Sequence, residues 1–304
     1  MRAGSSRHHV PWQVHAGLLF VQLNFGAFHV TAKAVLAHLH PLALAGLRVL
    51  VATPILLLLA WRHDRLIPTR RDLPWLALLG FLGVFANQLL FIFGLRWTTA
   101  TSAAILMPSI PVFAAAVAIA TGVERAEPRR LLGIVLAVIG ALVMLEPGRF
   151  QLGDRMVVGN LLVLANCLSY ATFLVLMRRV LHRLPVTTVI AWSFLFGGLG
   201  IVAVSATHLA AIPFAVVPAS VWLLMGYIVL FPTTLNYLIN TWALARSTPS
   251  LVAAYTTLQP LAAGLLAAIF LAERPGWPQL AGAVLIAAGL WQVSTTPSAQ
   301  TART

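Results

Sequence analysis

Polar side chains recur at matched intervals inside the apolar runs of this 304-residue chain. Asn24, His29 and Lys33 fall in the first run, and Asn87 and Gln88 in the third. Ser109 falls in the fourth, Asn166 and Tyr170 in the sixth, Asn236, Tyr237 and Asn240 in the eighth, Tyr255 and Gln259 in the ninth. Amides and hydroxyls offer paired donors and acceptors to a solute. Lys33 and Arg48 offer charge to an anion, and His29 titrates near neutral pH. The runs hold no Asp or Glu, with Glu146 at the end of one. There is therefore no carboxylate pair for acid–base work, and no H-E-x-x-H or G-x-S-x-G arrangement for metal or nucleophilic hydrolysis. The chemistry on offer is recognition, so the chain is read as non-enzymatic, with no metal and no cofactor.

Each residue also has a plainer reading. An amide that only bridges two helices looks the same in sequence, and a lone His29 is also a packing residue. Arg48 lies toward the outer third of its run and is read as reaching the interface or helix-end carbonyls. For Lys33, cavity lining and snorkelling stand side by side. Without an embedded carboxylate, a facilitator or exchanger, or weak proton coupling through His29, is expected.

These residues must be positioned by membrane helices. Of the residues, 60% are hydrophobic and 9% charged, with mean hydropathy +0.91, against about a quarter charged in soluble domains. Apolar runs long enough for roughly 30 Å of hydrocarbon recur throughout, without the alternation of a β-barrel. Ten spans are expected, at 14–37, 42–61, 74–94, 100–121, 130–146, 158–177, 186–208, 219–241, 250–272 and 277–294. The net charge of +13 sits in short loops and reads as topology rather than nucleic-acid binding. One side gathers Arg2, Arg7, Arg62, Arg65, Arg70, Arg71, Arg125, Arg129, Arg130, Arg178, Arg179, Arg183, Arg246 and Arg303. The other keeps Arg96, Arg149, Arg155 and Arg274. Both termini are therefore expected in the cytoplasm. The polar N-terminus carries no cleavage signature, so the first span is read as retained. Cys167, the single cysteine, excludes an intrachain disulfide and reads as packing.

The chain also repeats itself. A shift of 149 positions pairs Asn87 with Asn236, Pro111 with Pro260, Glu124-Arg125 with Glu273-Arg274, Gly133 with Gly282 and Gly140 with Gly289, without a gap. Nearer the start a shift of 145 pairs Phe25 with Tyr170 and Lys33 with Arg178. Five spans per copy is an odd number, so the second copy starts from the opposite side and the repeats are inverted. Pro108 and Pro111 fall mid-span in the fourth helix, Pro260 in the ninth and Pro232 in the eighth. Proline removes a donor and bends a helix. In lipid, freed carbonyls are tolerated only where protein or a water-lined cavity meets them. These four are the candidate hinges; the alternative is a static packing kink.

The stretches NFGAFHVTAK, PLALAGLR and TTATSAAILMPSIPVFAA, the last followed by GVER, resemble the EamA-type family of the drug/metabolite transporter superfamily. The second half echoes them in SYATFLVLMRR, STPSLVAAYTTLQPLAAGLLAAIFLAERP and AGAVLIAAG. Phe25-Gly26 stands where the family often has Trp-Gly, and Trp192 stands opposite Arg48 in the repeat. The resemblance implies an all-α polytopic membrane protein: ten transmembrane helices in two inverted five-helix repeats around a central cavity. Helices 1–4 and 6–9 would surround the cavity, with 5 and 10 outside. The repeats are placed at 14–147 and 158–294, with a cytoplasmic tail at 295–304. The overall look is nearest to bacterial amino-acid exporters, including aromatic amino-acid and paraquat exporters. The expected function is export of amino acids or related small metabolites across the bacterial inner membrane by alternating access. The alternatives are carriage of a sugar, nucleoside, cofactor or cationic drug, or a channel. Partners are the small-molecule substrate and the bilayer; no nucleic acid and no ATPase subunit is required, and both monomer and homodimer remain open.

Overall fold

The computed structural model describes residues 11–65, 67–122, 128–144, 154–247, 252, 255–272, 274 and 276–295. Glu124, Arg125, Glu146, Arg149, Glu273 and the tail residues 296–304 lie outside them. Helix is the only regular secondary structure among the described residues, with no strand among them.

The helices are α1 (Trp12–Leu36), α2 (Pro41–His63), α3 (Leu73–Trp97), α4 (Ala100–Ala120), α5 (Pro128–Met144), α6 (Arg155–Leu181), α7 (Val186–Ala210), α8 (Ala219–Arg246), α9 (Gln259–Phe270) and α10 (Trp277–Thr295). Seven of them, α1–α4 and α6–α8, are long and apolar enough to cross a membrane. The other three expected spans hold shorter apolar stretches: α5 has 17 residues with Leu131–Gly140 at its core, α9 has 12, and Leu280–Gly289 lies within α10. Helix starts follow local chemistry. Thr99 Oγ1 accepts from Ser102 N–H at 2.9 Å to open α4, and Asp154 accepts from Met156 N–H at 2.9 Å to open α6, each meeting an otherwise orphaned donor.

The burial pattern suits lipid. Leu19, Leu23, Leu50, Leu58, Leu199 and Leu265 are exposed, while Gln22, Arg48, Gln88, Asn166 and Asn236 are buried. This is a multi-pass membrane protein. Its helices pair as α2 with α7, α5 with α10, α1 with α8 and α9, and α6 with α3 and α4. At α3–α7 the backbones meet through Gly80 and Gly197, where a side chain on either would overlap the other helix's carbonyls. Small residues allow this approach.

Two departures from regular helix bear on the interior. α3 passes through a π segment at Phe81–Ala86, and α8 through one at Val229–Leu235 that contains Pro232. Such segments free carbonyls that hydrocarbon cannot satisfy. Here side chains meet them: Ser169 donates to Leu82 O (2.8 Å), Tyr237 to Gly83 O (2.9 Å), Thr233 to Ile228 O (2.7 Å) and Thr234 to Val229 O (2.8 Å). α4 breaks at Met107-Pro108 between Ala100–Leu106 and Ser109–Ala120. Pro111 has no N–H for Met107 O, which takes Ile110 N–H at 2.9 Å instead. One residue back, Leu106 O receives the Cys167 thiol at 3.6 Å.

The helix ends are tied in two groups. At one end Lys33 donates to Leu95 O (2.7 Å) and Thr98 O, Arg96 donates to Leu36 O, and Thr98 donates to Asn160 Oδ1 (2.6 Å). His40 stacks on His208 at the same end, ring centroids 3.9 Å apart. At the other end Asp64 accepts from Thr187 and, at 2.7 Å, from Thr188, and Arg183 pairs with Asp72 at 3.5 Å.

Candidate functional site

Seven helices contribute to one interior cavity of about 60 Å³, room for a few waters. α1 presents Phe25, Phe28 and His29, which share a face at i, i+3, i+4. α2 gives Arg48, α3 gives Asn87, Gln88 and Phe91, and α4 gives Met107 and Ile110 on either side of its break. α6 gives Asn166 and Tyr170, α8 gives Tyr237 and α9 gives Gln259.

Among the described residues Arg48 is the one charged group in the lining. It is only 3% exposed, so it does not snorkel; its position along α2 made the interface reading natural, but its partner lies across the interior. Its Nε donates to Thr233 Oγ1 at 2.9 Å, and its guanidinium carbon sits 4.5 Å from the Phe28 ring centroid. Thr233, inside the π segment that holds Pro232, in turn donates to Ile228 O just before it. The hydroxyl proton is thus engaged there and a lone pair is left for Arg48.

The remaining polar lining is neutral and partly unmet. His29 Nδ1 lies 2.6 Å from Phe25 O; a carbonyl only accepts, so the proton belongs on Nδ1 and Nε2 keeps a lone pair. That Nε2 is buried without a partner, as are both amide ends of Gln88. Asn166 donates to Asn87 O at 2.7 Å, Tyr237 contacts Asn87 Oδ1 at 3.2 Å, and Gln259 donates to Gln22 Oε1 at 2.5 Å. Asn240 donates to the Tyr170 hydroxyl at 2.6 Å. Buried unmet groups of this kind are costly unless something occupies the space.

Of the residues singled out from sequence, His29, Asn87, Gln88, Asn166, Tyr170, Tyr237 and Gln259 come together here. Asn240 stands behind Tyr170. Asn236, fully buried, donates to Val21 O at 3.1 Å, and Ser109 is buried with its hydroxyl unmet. Asn24 takes the Tyr227 hydroxyl at 2.9 Å, and Tyr255 meets His15 Nδ1 at 2.7 Å. Lys33 is away from the cavity, binding the carbonyls that end α3. Of the prolines, Pro108 is at the α4 break, Pro111 lies in the first turn of its second piece, Pro232 is in the α8 π segment and Pro260 is in the first turn of α9. Sequence reasoning passed over Phe25, Phe28, Phe91, Met107 and Ile110, which look like ordinary lipid-facing residues; the i, i+3, i+4 spacing of Phe25 and Phe28 with His29 was the available signal. Among the described residues no group of three or more His, Cys, Asp or Glu could hold a metal.

The model of the EamA-like transporter family matches twice, over residues 15–146 and 157–295. A "probable amino-acid metabolite efflux pump" of Salmonella typhimurium is 30% identical over 286 residues, 90% of this chain and 92% of that protein. An uncharacterized transporter of Archaeoglobus fulgidus is 26% identical over 281 residues, 92% of this chain and 96% of that protein. A solved crystal structure superposes with a TM-score of 0.65 at 18% identity, covering 93% of this chain and 97% of that one; at that identity it speaks to the fold alone.

Proposed function

Because the chain belongs to the EamA-like transporter family, we propose that it exports amino acids or related small metabolites across the bacterial inner membrane by alternating access. The carrying observation is the interior cavity itself: a buried cation, unmet amide groups and aromatic rings contributed by both halves of the chain. The Salmonella relative's name points to amino-acid metabolites. In this reading the substrate-binding set is His29, Asn87, Gln88, Asn166, Tyr170, Tyr237 and Gln259, joined by Arg48. Asn240 and Asn236 support it from behind, Asn24, Lys33 and Tyr255 hold neighbouring helices, and Ser109 stays buried with its hydroxyl unmet.

The architecture in this reading is ten spans in two inverted five-helix repeats. Supporting it, the shift of 149 that aligns the sequence carries Phe81–Ala86 onto residues 230–235, inside the second π segment. The same shift carries Ser109–Ala120 onto Gln259–Phe270 to within one residue. Neighbour relations match too: α1 lies on α8 and α9 as α6 lies on α3 and α4. The Lys33, Thr98 and Asn160 bonds bring the end of α1 beside the start of α6, as opposite starting sides require. Inverted repeats with interrupted helices are how many secondary carriers build a midplane site. Pro108, Pro111 and Pro260 then mark the moving segments, and Pro232 sets the site. In this reading both termini are cytoplasmic, which the arginine bias supports.

The test is uptake of labelled amino acids into proteoliposomes holding the purified protein, competed by a metabolite panel. Saturable uptake with competition by at least one amino acid is expected. Uptake equal to protein-free liposomes for every solute overturns the carrier reading.

A further inference from the structure

Resting on that reading of the cavity, we infer that the site selects its solute by negative charge: it takes an organic carboxylate with the carboxyl group on Arg48 and the hydrocarbon part among Phe25, Phe28 and Phe91, and it requires no ammonium group. Arg48 is a guanidinium, cationic at any working pH, buried where the lining holds no acidic residue. Its Nε is met by the neutral Thr233 hydroxyl and one face by the Phe28 ring, neither of which neutralises it. A buried charge without a counter-ion is strongly unfavourable. Among the described residues no acidic group stands beside it to act as counter-ion. Asp64 and Asp72 are at helix ends, engaged with Thr187, Thr188, Thr69 and Arg183, and Asp154 caps α6. Glu124, Glu127, Glu146 and Glu273 fall between the apolar runs or at their ends. The partner must therefore arrive with the solute. A carboxylate is matched in shape as well as charge, because guanidinium N–H groups bind it in parallel pairs.

The other end of the solute meets different chemistry. Phe25, Phe28, Phe91, Met107 and Ile110 line the cavity with apolar surface. The unmet His29 Nε2 lone pair and the Gln88 amide can accept from or donate to a neutral polar group or an amino group. No carboxylate is present to demand a cation, and Arg48 repels one. A zwitterion is tolerated, a carboxylic acid anion suffices, and a simple organic cation is rejected.

Three compounds of one shape separate these cases: 3-phenylpropionate carries only the carboxylate, phenylalanine both charges, and 2-phenylethylamine only the ammonium. Binding of each to the purified full-length protein in nanodiscs, read as a ligand-induced rise in the thermal unfolding midpoint, should appear for the first two and not the third. Arg48→Gln should weaken 3-phenylpropionate roughly 10-fold or more, Arg48→Lys less, and Thr233→Val measurably. The wild-type comparison needs no variant, so a poorly folding Arg48→Gln leaves the test intact. Binding of 2-phenylethylamine equal to 3-phenylpropionate, or carboxylate binding unchanged in Arg48→Lys and Thr233→Val, overturns the inference. So does competed uptake of sugars or nucleosides with no response to either carboxylate, an outcome that leaves the carrier reading standing. Absence of uptake of every solute removes the carrier reading, and the inference with it.

Discussion

Arg48 and Thr233, 185 residues apart, share a 2.9 Å hydrogen bond in the interior. Thr233 can offer that lone pair because its own proton goes to Ile228 O, five residues back. A regular α-helix would direct the hydroxyl to a carbonyl three or four residues back. The π segment that holds Pro232 and Thr233 is therefore part of the site.

Thr233→Val keeps the shape and removes both bonds. A hydrogen bond to a charged group contributes about 1.5–3 kcal/mol, so a loss of that order is expected in the unfolding free energy. A cycle combining Thr233→Val with Arg48→Lys should be non-additive by about 1 kcal/mol. Additive effects on unfolding midpoint and apparent substrate affinity would mean that the two residues act separately.

Gly197 and Gly226 are both helical glycines and should respond oppositely to alanine. A methyl on Gly197 would lie 2.6 Å from Val84 Cβ and overlap Gly80 O, where backbone cannot yield, while Gly226 has nothing within 4 Å. Gly197→Ala should destabilise by about 1–3 kcal/mol. Gly226→Ala should be neutral, or stabilising by up to about 1 kcal/mol from helix propensity. Unfolding midpoints in one detergent compare them directly.

The legible and illegible parts of this molecule divide on physical grounds. Matched Asn, Pro and Gly positions could be read in one register because few residue types suit those places, and the π segments and helix breaks fall in that register. The π segments themselves were hidden: only Pro232 hints at one of them, and Phe81–Ala86 is ordinary apolar sequence. Arg48 was misread for a related reason. Depth along one helix says nothing about which neighbour faces it, and Thr233 is far away in the chain. Lys33 was equally ambiguous until the α3 carbonyls were seen beside it.

His40, outside the spans, should make stability fall in mild acid. Its pKa is held below the ordinary 6.5 chiefly by desolvation, then by His208 and Arg96. With the folded value depressed, the unfolded chain binds the proton first as pH falls. The contribution of neutral His40 is intact above about 6.5 and is lost below it. His40→Phe keeps a ring against His208 and removes the titration. A plot of unfolding midpoint against pH should therefore be flatter in the variant on the acid side of 6.5; parallel curves would assign the acid sensitivity elsewhere.

Pro108→Ala should slow transport more than it weakens binding. Pro108 carries φ −56° and ψ −9° at the junction of the two α4 pieces. Alanine favours a continuous helix, which stiffens a segment proposed to move. The expected result is a several-fold fall in turnover, with the unfolding midpoint unchanged or raised, since alanine supplies the backbone donor and helix propensity that proline lacks. Wild-type turnover in Pro108→Ala would make the bend a static packing feature.

Cys167 can report whether α4 moves. It is the single cysteine, fully buried, and its thiol points at Leu106 O beside the α4 break. In this structure a thiol reagent cannot reach it, so labelling should be slow. If α4 swings away from α6 during turnover, the Leu106 contact opens first and the thiol is uncovered. Labelling by a small methanethiosulfonate should then accelerate several-fold when a transported solute is supplied on both sides, because the opening rate limits exposure. Pro108→Ala should suppress that acceleration. Labelling that is equally slow with and without solute in an actively transporting preparation would rule out α4 as the moving element.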